Sequence, residues 1–266
     1  TAGLQLYPSW FGTVIQNGFS SITLGSAASA DLGVFSTLSV DSPLTLKGTG
    51  VIIGLNANLT TTNDNLTIST SSGISGINSG STISLGSGSL IKEGSGHFNL
   101  TGSLNYSGAT EINAGSLILK NNDRLPNTTA VSVASGATLD LYYLNSYSDT
   151  IGSIAGAGNI ELGSGSTLTV GGNNSSTVFS GVISGLSDGG SLVKTGSGTL
   201  TLSGNNSTVG DITVNAGTLI ASHASALGTS AKGTIVASGA TLDVRANVGA
   251  EPIILNGGTL SAPTAS

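Results

Sequence analysis

The chain has 266 residues, of which only 8% are charged, and its formal net charge is −6. Its seven lysine and arginine residues are scattered singly and cannot form the basic face that follows a phosphate backbone, which argues against nucleic acid as a partner. The chain has no cysteine, hence no disulfide framework or thiolate metal site, and it has no apolar run long enough for a membrane helix.

The first 35 residues are unusually aromatic. They contain Tyr7, Trp10, Phe11, Phe19 and Phe35. Bulky apolar side chains suit a cap over the open end of a repetitive structure. They equally suit a surface that docks head to tail onto a second copy of the chain. We predict that residues 1–35 form one or the other.

From residue 36 to residue 266, short apolar and polar alternations recur between turns rich in glycine and asparagine. Leu38–Val40 and Val51–Ile53 are typical, with the period of two expected of a strand that buries one face. Glycine and asparagine tolerate positive φ, so the chain can turn every few residues. About twenty residues for every three strands predicts a β-solenoid of roughly a dozen coils, on the order of 60 Å long.

Two segments of this region repeat one another. SLIKEGSGHFNLTGSLNYSGATEINAGSLIL begins at Ser89, and SLVKTGSGTLTLSGNNSTVGDITVNAGTLIA begins at Ser191. Their glycines coincide at an offset of 102 residues, and VASGATLD recurs further on at an offset of 103. We therefore predict two homologous modules, residues 89–141 and 191–244, within the solenoid.

Two stretches outside the repeats are candidates for contact with a partner. Residues 141–147, LYYLNSY, interrupt the repeat with Tyr142, Tyr143 and Tyr147. Tyrosine combines a large contact area with a polar tip and suits adhesion or lateral packing between rods, although packing against the wall of its own solenoid is an equal alternative. Residues 253–260, IILNGGTL, begin another coil in which Leu255 and Leu260 could meet a partner.

These repeats resemble those of a known family. The pattern G-S-G-T-L-T-L-S-G-N-N, followed by A-G-T-L, is similar to the passenger-associated strand repeat of bacterial autotransporters, and residues 158–185 resemble the segment that usually precedes it. The resemblance covers roughly residues 86–260. It implies an all-β, single-stranded, right-handed parallel β-helix that is exported across the outer membrane and displayed or released at the surface of a bacterium.

Tandem β-sandwiches are the alternative fold, because they also contain many short strands with glycine turns. Sandwich modules usually bury aromatic residues in each copy, whereas the repeats here contain leucine, isoleucine, valine and alanine with small residues between them. Narrow coils need small residues at their corners. The composition therefore favours the solenoid.

The residue pattern predicts no catalytic site, no cofactor and no metal. His97 and His223 occupy different places in the two modules, and no zinc, phosphate-loop or nucleophilic-serine motif is present. Asp140 and Asp243 recur inside A-T-L-D, which favours a structural role. Polysaccharide-acting β-helix enzymes, which use clustered carboxylates, are the distant alternative.

We therefore predict a non-enzymatic extracellular rod that builds or decorates the cell surface. In the first hypothesis, subunits assemble head to tail into filaments, with Trp10 and Phe11 meeting residues 255–260 of the next copy. In the second, the rod is an adhesin stalk whose exposed ladders or tyrosines contact glycans or host surfaces.

Overall fold

A computed structural model describes residues 4–6, 19–26, 31–73, 75–141, 146–185, 189–207 and 210–262. Within these ranges the chain forms short β-strands joined by turns. No helix in the described part of the chain is long and apolar enough to cross a membrane.

The strands, numbered along the chain, are β1 (Leu4–Leu6), β2 (Ile22–Gly25), β3 (Leu32–Val34), β4 (Leu38–Val40), β5 (Leu44–Gly48), β6 (Val51–Ile53), β7 (Asn58–Thr61), β8 (Leu66–Thr70), β9 (Gly76–Ile77), β10 (Thr82–Gly86), β11 (Leu90–Glu93), β12 (His97–Leu100), β13 (Ser103–Tyr106), β14 (Thr110–Ile112), β15 (Ser116–Leu119), β16 (Ala130–Val133), β17 (Thr138–Asp140), β18 (Asp149–Ile151), β19 (Ser153–Gly156), β20 (Asn159–Leu162), β21 (Thr167–Val170), β22 (Thr177–Phe179), β23 (Val182–Gly185), β24 (Ser191–Lys194), β25 (Thr199–Leu202), β26 (Ile212–Val214), β27 (Thr218–Ala221), β28 (Thr234–Ala237), β29 (Thr241–Val244), β30 (Ile253–Asn256) and β31 (Thr259–Ser261).

The strands stack into four sheets. Sheet A has 9 strands in the order β1-β3-β6-β9-β12-β15-β17-β20-β23, and sheet C has 4 in the order β4-β7-β10-β13. Sheet B has 12 strands in the order β2-β5-β8-β11-β14-β16-β19-β22-β25-β27-β29-β31, and sheet D has 6 in the order β18-β21-β24-β26-β28-β30. Neighbouring strands are parallel throughout, as in β5 with β8 and β24 with β26. This arrangement confirms the parallel β-solenoid of roughly a dozen coils and rules out antiparallel sandwiches.

The cross-section of the solenoid changes along its length. Up to β13, each coil passes through sheets B, A and C in turn, and from β16 to β24 each coil passes through B, A and D. In the turn between them, residues 120–129 take the third position without forming a strand. From β25 onward the described strands alternate between sheets B and D alone. In these coils turn residues take the third position, and Ala226 and Leu227 between β27 and β28 are buried there.

One contiguous apolar core runs along the inside of the coils. Strand residues alternate between buried and partly exposed positions, as the period of two predicts. The register stacks like on like, so that Leu200, Leu219 and Leu242 form one buried column. Burying each such leucine contributes about 1.5–3 kcal/mol, and this burial offsets the entropy lost on ordering the chain.

Small residues fill the corners where sheet B passes to sheet A, as the sequence indicated. A Cβ atom on Gly204 would lie 1.7 Å from the carbonyl oxygen of Gly181, and one on Gly181 would lie 1.8 Å from that of Gly158. Successive coils therefore touch backbone to backbone at this corner. Only glycine allows that approach.

Asparagine side chains connect successive coils at the turns. The side-chain oxygens of Asn58, Asn63 and Asn65 each accept a hydrogen bond from a backbone N–H 24 residues further along, at 2.9–3.1 Å. These bonds satisfy N–H groups that the turns leave outside the strand ladders. Each of these bonds joins the side chain of one coil to the backbone of the next.

The two repeat modules lie on different faces of the solenoid. In the first module β11 belongs to sheet B and β12 to sheet A, whereas their counterparts β24 and β25 belong to sheets D and B. The second module is therefore rotated by one face.

One position of the second module differs in character from its counterpart. Asn206 stands where the first module has Leu104, and its side chain is buried. Its side-chain oxygen accepts the backbone N–H of Ile183, and its Nδ2 donates to the carbonyl of Ala226.

Candidate functional site

The predicted contact residues of the N-terminal segment and of the tyrosine-rich stretch are only partly described. Tyr7, Trp10, Phe11, Tyr142 and Tyr143 lie outside the described residues. The other three are Phe19, Phe35 and Tyr147. Phe19 is 54% exposed just before the first strand of sheet B, and Tyr147 is half-buried. Whether residues 1–35 form a cap or a docking surface stays a prediction.

The structure brings Leu255 and Leu260 together in the last described coil. Leu255 continues the column of Val236, and Leu260 continues the column of Leu242; both preceding residues are fully buried. Leu255 and Leu260 are themselves 47% and 46% exposed. These two exposed leucines lie at the β31 end of the described sheets, and Phe19 lies near the β2 end of sheet B.

The candidate catalytic residues are not brought together. Asp140 lies on sheet A, whereas Asp243 lies on sheet B and is paired with Arg245 at 2.8 Å. His97 is exposed, and Nδ1 of His223 accepts the N–H of Ser225. Among the described residues, no group of three or more His, Asp and Glu side chains could hold a metal.

Each module contains a fully buried lysine that the sequence analysis missed. Lys92 is 1% exposed, and its Nζ donates to the carbonyl oxygens of Glu93, Gly94 and Ala114 at 2.7, 2.9 and 3.1 Å. Burial lowers the pKa of Lys92 to about 8, and the charge of Glu93 partly opposes this shift. The ammonium group thus bonds its own corner and the corner of the next coil.

The second module repeats this arrangement with equivalent residues. Lys194 is also 1% exposed, and its Nζ donates to Thr195, Gly196 and Ala216 at 2.6, 2.9 and 3.2 Å. Burial lowers its pKa as well. We call the three hydrogen bonds from each buried lysine the lysine staple. Because the two modules lie on different faces, the lysine staple belongs to the repeat and not to one side of the rod. The signal was visible in L-x-K, where the lysine follows the inward leucine by two residues.

A second buried polar group marks the turn where sheet C ends and sheet D begins. Asp149, the first residue of β18, is 1% exposed, and its Oδ2 accepts the backbone N–H groups of Arg124 and Leu125 at 2.7 and 3.1 Å. Its Oδ1 has no hydrogen-bond partner among the described residues. Burial raises the pKa of Asp149 to about 7, which these N–H groups oppose and Asp123 reinforces. The carboxyl group holds the loop of residues 120–129 against the coil.

Hydroxyl groups line the interior beside this carboxyl. The hydroxyls of Tyr106 and Thr110 are 2.6 Å apart, and those of Thr110 and Thr129 are 3.0 Å apart. Thr129 donates to the carbonyl of Gly108. Burial raises the pKa of Tyr106, and the charge of Asp149 contributes to that shift. This chain of bonds satisfies polar groups where the third face of the solenoid has no strand.

The outer face of sheet A carries an exposed aromatic ring. Phe35 follows β3 and is 52% exposed. A Cβ atom on Gly33 would lie 2.1 Å from one edge of its ring, and a Cβ atom on Gly54 would lie 2.5 Å from the opposite edge. The ring therefore occupies the space that side chains at these two glycines would fill, and it is partly exposed to solvent.

A polar notch lies beside this ring on the same face. Gly76 occupies the outward register position between Ile52 and Asn99, so the ladder of side chains is interrupted there. The resulting cavity has a volume of about 180 Å³. The residues that line it are Ile52, Ser75, Gly76, Ile77, Asn78, Asn99, Thr101 and Lys120.

The architecture and its repeats define a class of protein. Residues 90–119 and 192–221 match the family model described as passenger-associated-transport-repeat. These segments span β11 to β15 and β24 to β27, and each contains one lysine staple. Together with the parallel solenoid, these matches support an autotransporter passenger with a β-helix. Such adhesin-like passengers are secreted to the outer surface of bacteria, which confirms the predicted location, and they are generally non-enzymatic.

A curated relative agrees with this class. The protein described as "Adhesin BmaC autotransporter" from Brucella suis biovar 1 (strain 1330) is 36% identical over 90 residues. The match covers 34% of this chain and 2% of the relative, so it corresponds to a small part of a much longer protein. No solved structure matches the chain.

We expect Lys194→Met to destabilise the fold. The substitution keeps the apolar stem but leaves three buried carbonyl groups without their donor, at a cost of about 1–3 kcal/mol in the free energy of unfolding. Urea-induced unfolding of the parent and the variant measures this difference. Lys232→Met, at an exposed position, is the matched control and should change little. Equal stability of Lys194→Met and the parent would show that the staple contributes nothing.

We expect Asp149→Asn to remove a pH dependence of stability. The pKa of Asp149 is about 7 in the folded chain and near 3.8 in the unfolded chain, so between these values the folded chain holds a proton that the unfolded chain releases. The stabilisation is complete below about pH 4 and is lost as the pH rises toward 7. At pH 8 the variant should therefore be more stable than the parent, by up to about 4 kcal/mol.

The measurement is urea-induced unfolding of both chains at intervals between pH 4 and pH 8. Asp41→Asn, at an exposed position, controls for the loss of one carboxylate. A difference between parent and Asp149→Asn that stays constant across this range would contradict the raised pKa.

Proposed function

We propose that this chain is part of the stalk of a surface adhesin. It would form a stiff rod that extends from the cell and holds the neighbouring segments of the protein away from it. The side wall of this rod would contact the target. The observation that carries this proposal is the uninterrupted sheet B, which contains 12 parallel strands. At about 4.8 Å per strand, this sheet spans on the order of 50 Å.

Three kinds of bond between coils support rigidity. The strand ladders join every coil to the next, the asparagine side chains bridge the turns, and the lysine staples join corners inside the core. Bending the rod would separate the coils on its convex side and stretch all three kinds of bond there. A stalk needs this resistance because it must keep its contact surfaces extended from the membrane.

The composition of the wall suits contact with a surface. Only 8% of the residues are charged, and the outward strand positions are rich in threonine, serine and asparagine. A neutral polar wall can exchange its water for the hydroxyl groups of a target without removing charges from water. Hydrogen bonds spaced regularly along the rod would then give many weak contacts in place of one strong contact.

We expect microspheres coated with the chain to be retained on cultured epithelial cells under flow, because the folded wall makes the contacts. Retention should exceed that of microspheres coated with serum albumin, and it should be lost when the chain is unfolded by heat before coupling. Counting retained microspheres measures the effect. Equal retention of the coated and the albumin microspheres would contradict the adhesive function.

A second function, head-to-tail self-assembly, is supported by the exposed apolar side chains of the last described coil. Ile253, Leu255 and Leu260 occupy inward register positions, yet all three are at least partly exposed. A second copy that placed a strand against β30 and β31 would bury them and pair their free edges. This contact is heterologous and would repeat, so it would build filaments.

If this assembly occurs, filaments should form at high protein concentration and should disappear in a Leu255→Ser, Leu260→Ser variant, because that variant removes the apolar contact. A Trp10→Ser, Phe11→Ser variant tests the opposite end. Negative-stain microscopy and light scattering are the measurements, and Val178→Ser, on the side wall and 55% exposed, is the control. Monomeric rods at every concentration, or filaments that persist in both end variants, would exclude end-to-end assembly.

A further inference from the structure

We infer that the outer face of sheet A between Phe35 and Lys120 binds a neutral, extended glycan chain. This inference rests on the proposed adhesive function, and it names the site and the class of ligand. The site consists of the Phe35 ring, Ile52, the notch at Gly76 and the polar side chains of Asn99 and Lys120. We call it the sheet A site.

The Phe35 ring supplies an apolar platform. The ring packs against Gly33 and Gly54, which have no side chains to cover it, and about half of it stays exposed to solvent. A sugar ring whose hydroxyls are equatorial has an apolar C–H face of similar width, and such faces stack on aromatic rings through dispersion and the negative charge of the ring face. Any side chain at Gly33 would displace the ring, so these glycines create the platform.

The notch supplies hydrogen-bonding groups beside that platform. Nδ2 of Asn99 donates to the carbonyl of Ser75 at 3.0 Å, which fixes the orientation of the amide at the edge of the notch. Thr101 and Asn78 add a hydroxyl and a second amide, and Ile52 gives the notch an apolar wall. An apolar wall with a few oriented polar groups is the composition of a small-molecule site, and these groups match sugar hydroxyls as donors and acceptors.

The strand spacing favours a chain over a single sugar. Phe35 follows β3 and Lys120 follows β15, and these strands are four steps apart in sheet A. Four steps of about 4.8 Å place the two ends of the site roughly 19 Å apart along the rod. A ligand that contacts both ends must therefore be an extended oligosaccharide that lies parallel to the solenoid axis.

The surrounding charges favour a neutral glycan. Asp140 and Glu161 are register neighbours on the outer face of the next two strands of sheet A. Burial raises the pKa of Glu161, and the negative charge of Asp140 adds to this shift because like charges repel. The whole chain has a net charge of −6. The cation of the site, Lys120, interacts with the charge of Asp140, which offsets it. A glycan rich in carboxylate or sulfate would therefore meet a net negative field along this face and would be repelled.

The test is isothermal titration of the chain with cellohexaose and chitohexaose, two neutral extended oligosaccharides, and with hexagalacturonate as the anionic probe. We expect saturable binding of at least one neutral probe and none of hexagalacturonate. Phe35→Ala should weaken binding at least tenfold. Asn99→Ala should weaken it as well, and Gly33→Ala should do so by displacing the ring while Phe35 is retained.

Phe19→Ala is the matched control, because Phe19 is exposed to the same extent as Phe35 but lies outside the sheet A site. The affinity of the Phe19→Ala variant for the neutral oligosaccharides should equal that of the parent chain. Thermal unfolding of each variant shows that the solenoid is intact. Absence of saturable binding of both neutral probes, or binding that is unchanged in Phe35→Ala and Asn99→Ala, would overturn the inference.

The failure of this site can be told apart from the failure of the adhesive function. Microspheres coated with Phe35→Ala or with the parent chain are compared on epithelial cells. Retention by the parent chain together with absent oligosaccharide binding would overturn the sheet A site and leave the adhesin stalk intact. Loss of both retention and oligosaccharide binding in the parent would overturn the two together.

Discussion

The stacking of one parallel strand on the next is the constraint on which the rest of this molecule depends. Each strand offers a free row of N–H and C=O groups, and only another strand in register satisfies that row over its whole length. Register then places equivalent residues directly above one another, as in the column of Leu200, Leu219 and Leu242. The same spacing applies at the corners, where Gly204 touches Gly181. A coil is therefore shaped by its neighbour as much as by its own residues.

Buried polar groups occur where the ladder stops. Neighbouring strands satisfy one another's backbone groups, but corners and missing strands leave carbonyl and N–H groups without a ladder partner. Lys92 and Lys194 supply donors to such carbonyls at the corners of the repeat, and Asp149 accepts the N–H groups of a loop that replaces a strand. These charges are costly to bury. Burial lowers the pKa of Lys92 and raises the pKa of Asp149, so that both neutral forms become easier to reach. They persist because an unmade backbone bond in the same place would also be costly.

The alternation of apolar and polar residues predicted the strands, the inward side chains and the glycine corners, because each depends only on neighbouring residues. It did not lead to the buried lysines, since charged residues were assigned to the surface although Lys92 stands two residues after an inward leucine. The rotation of the second module could not be predicted, because alignment of two segments does not say which face each occupies. The sheet A site was hidden for a similar reason. Phe35, Gly76 and Lys120 are distant in the chain, and the loops between them vary in length.

A solenoid wall determines how such a protein can adhere. The sites on the described part of the wall are shallow, so they gain affinity from length. A chain-like ligand that lies along the axis meets new side chains at every strand, whereas a compact ligand meets one or two. The affinity of one rod for such a ligand should be modest. Many rods on one cell act together and raise the strength of attachment without new contacts. Stiffness then matters for binding, because rods that stay extended can reach one surface at the same time.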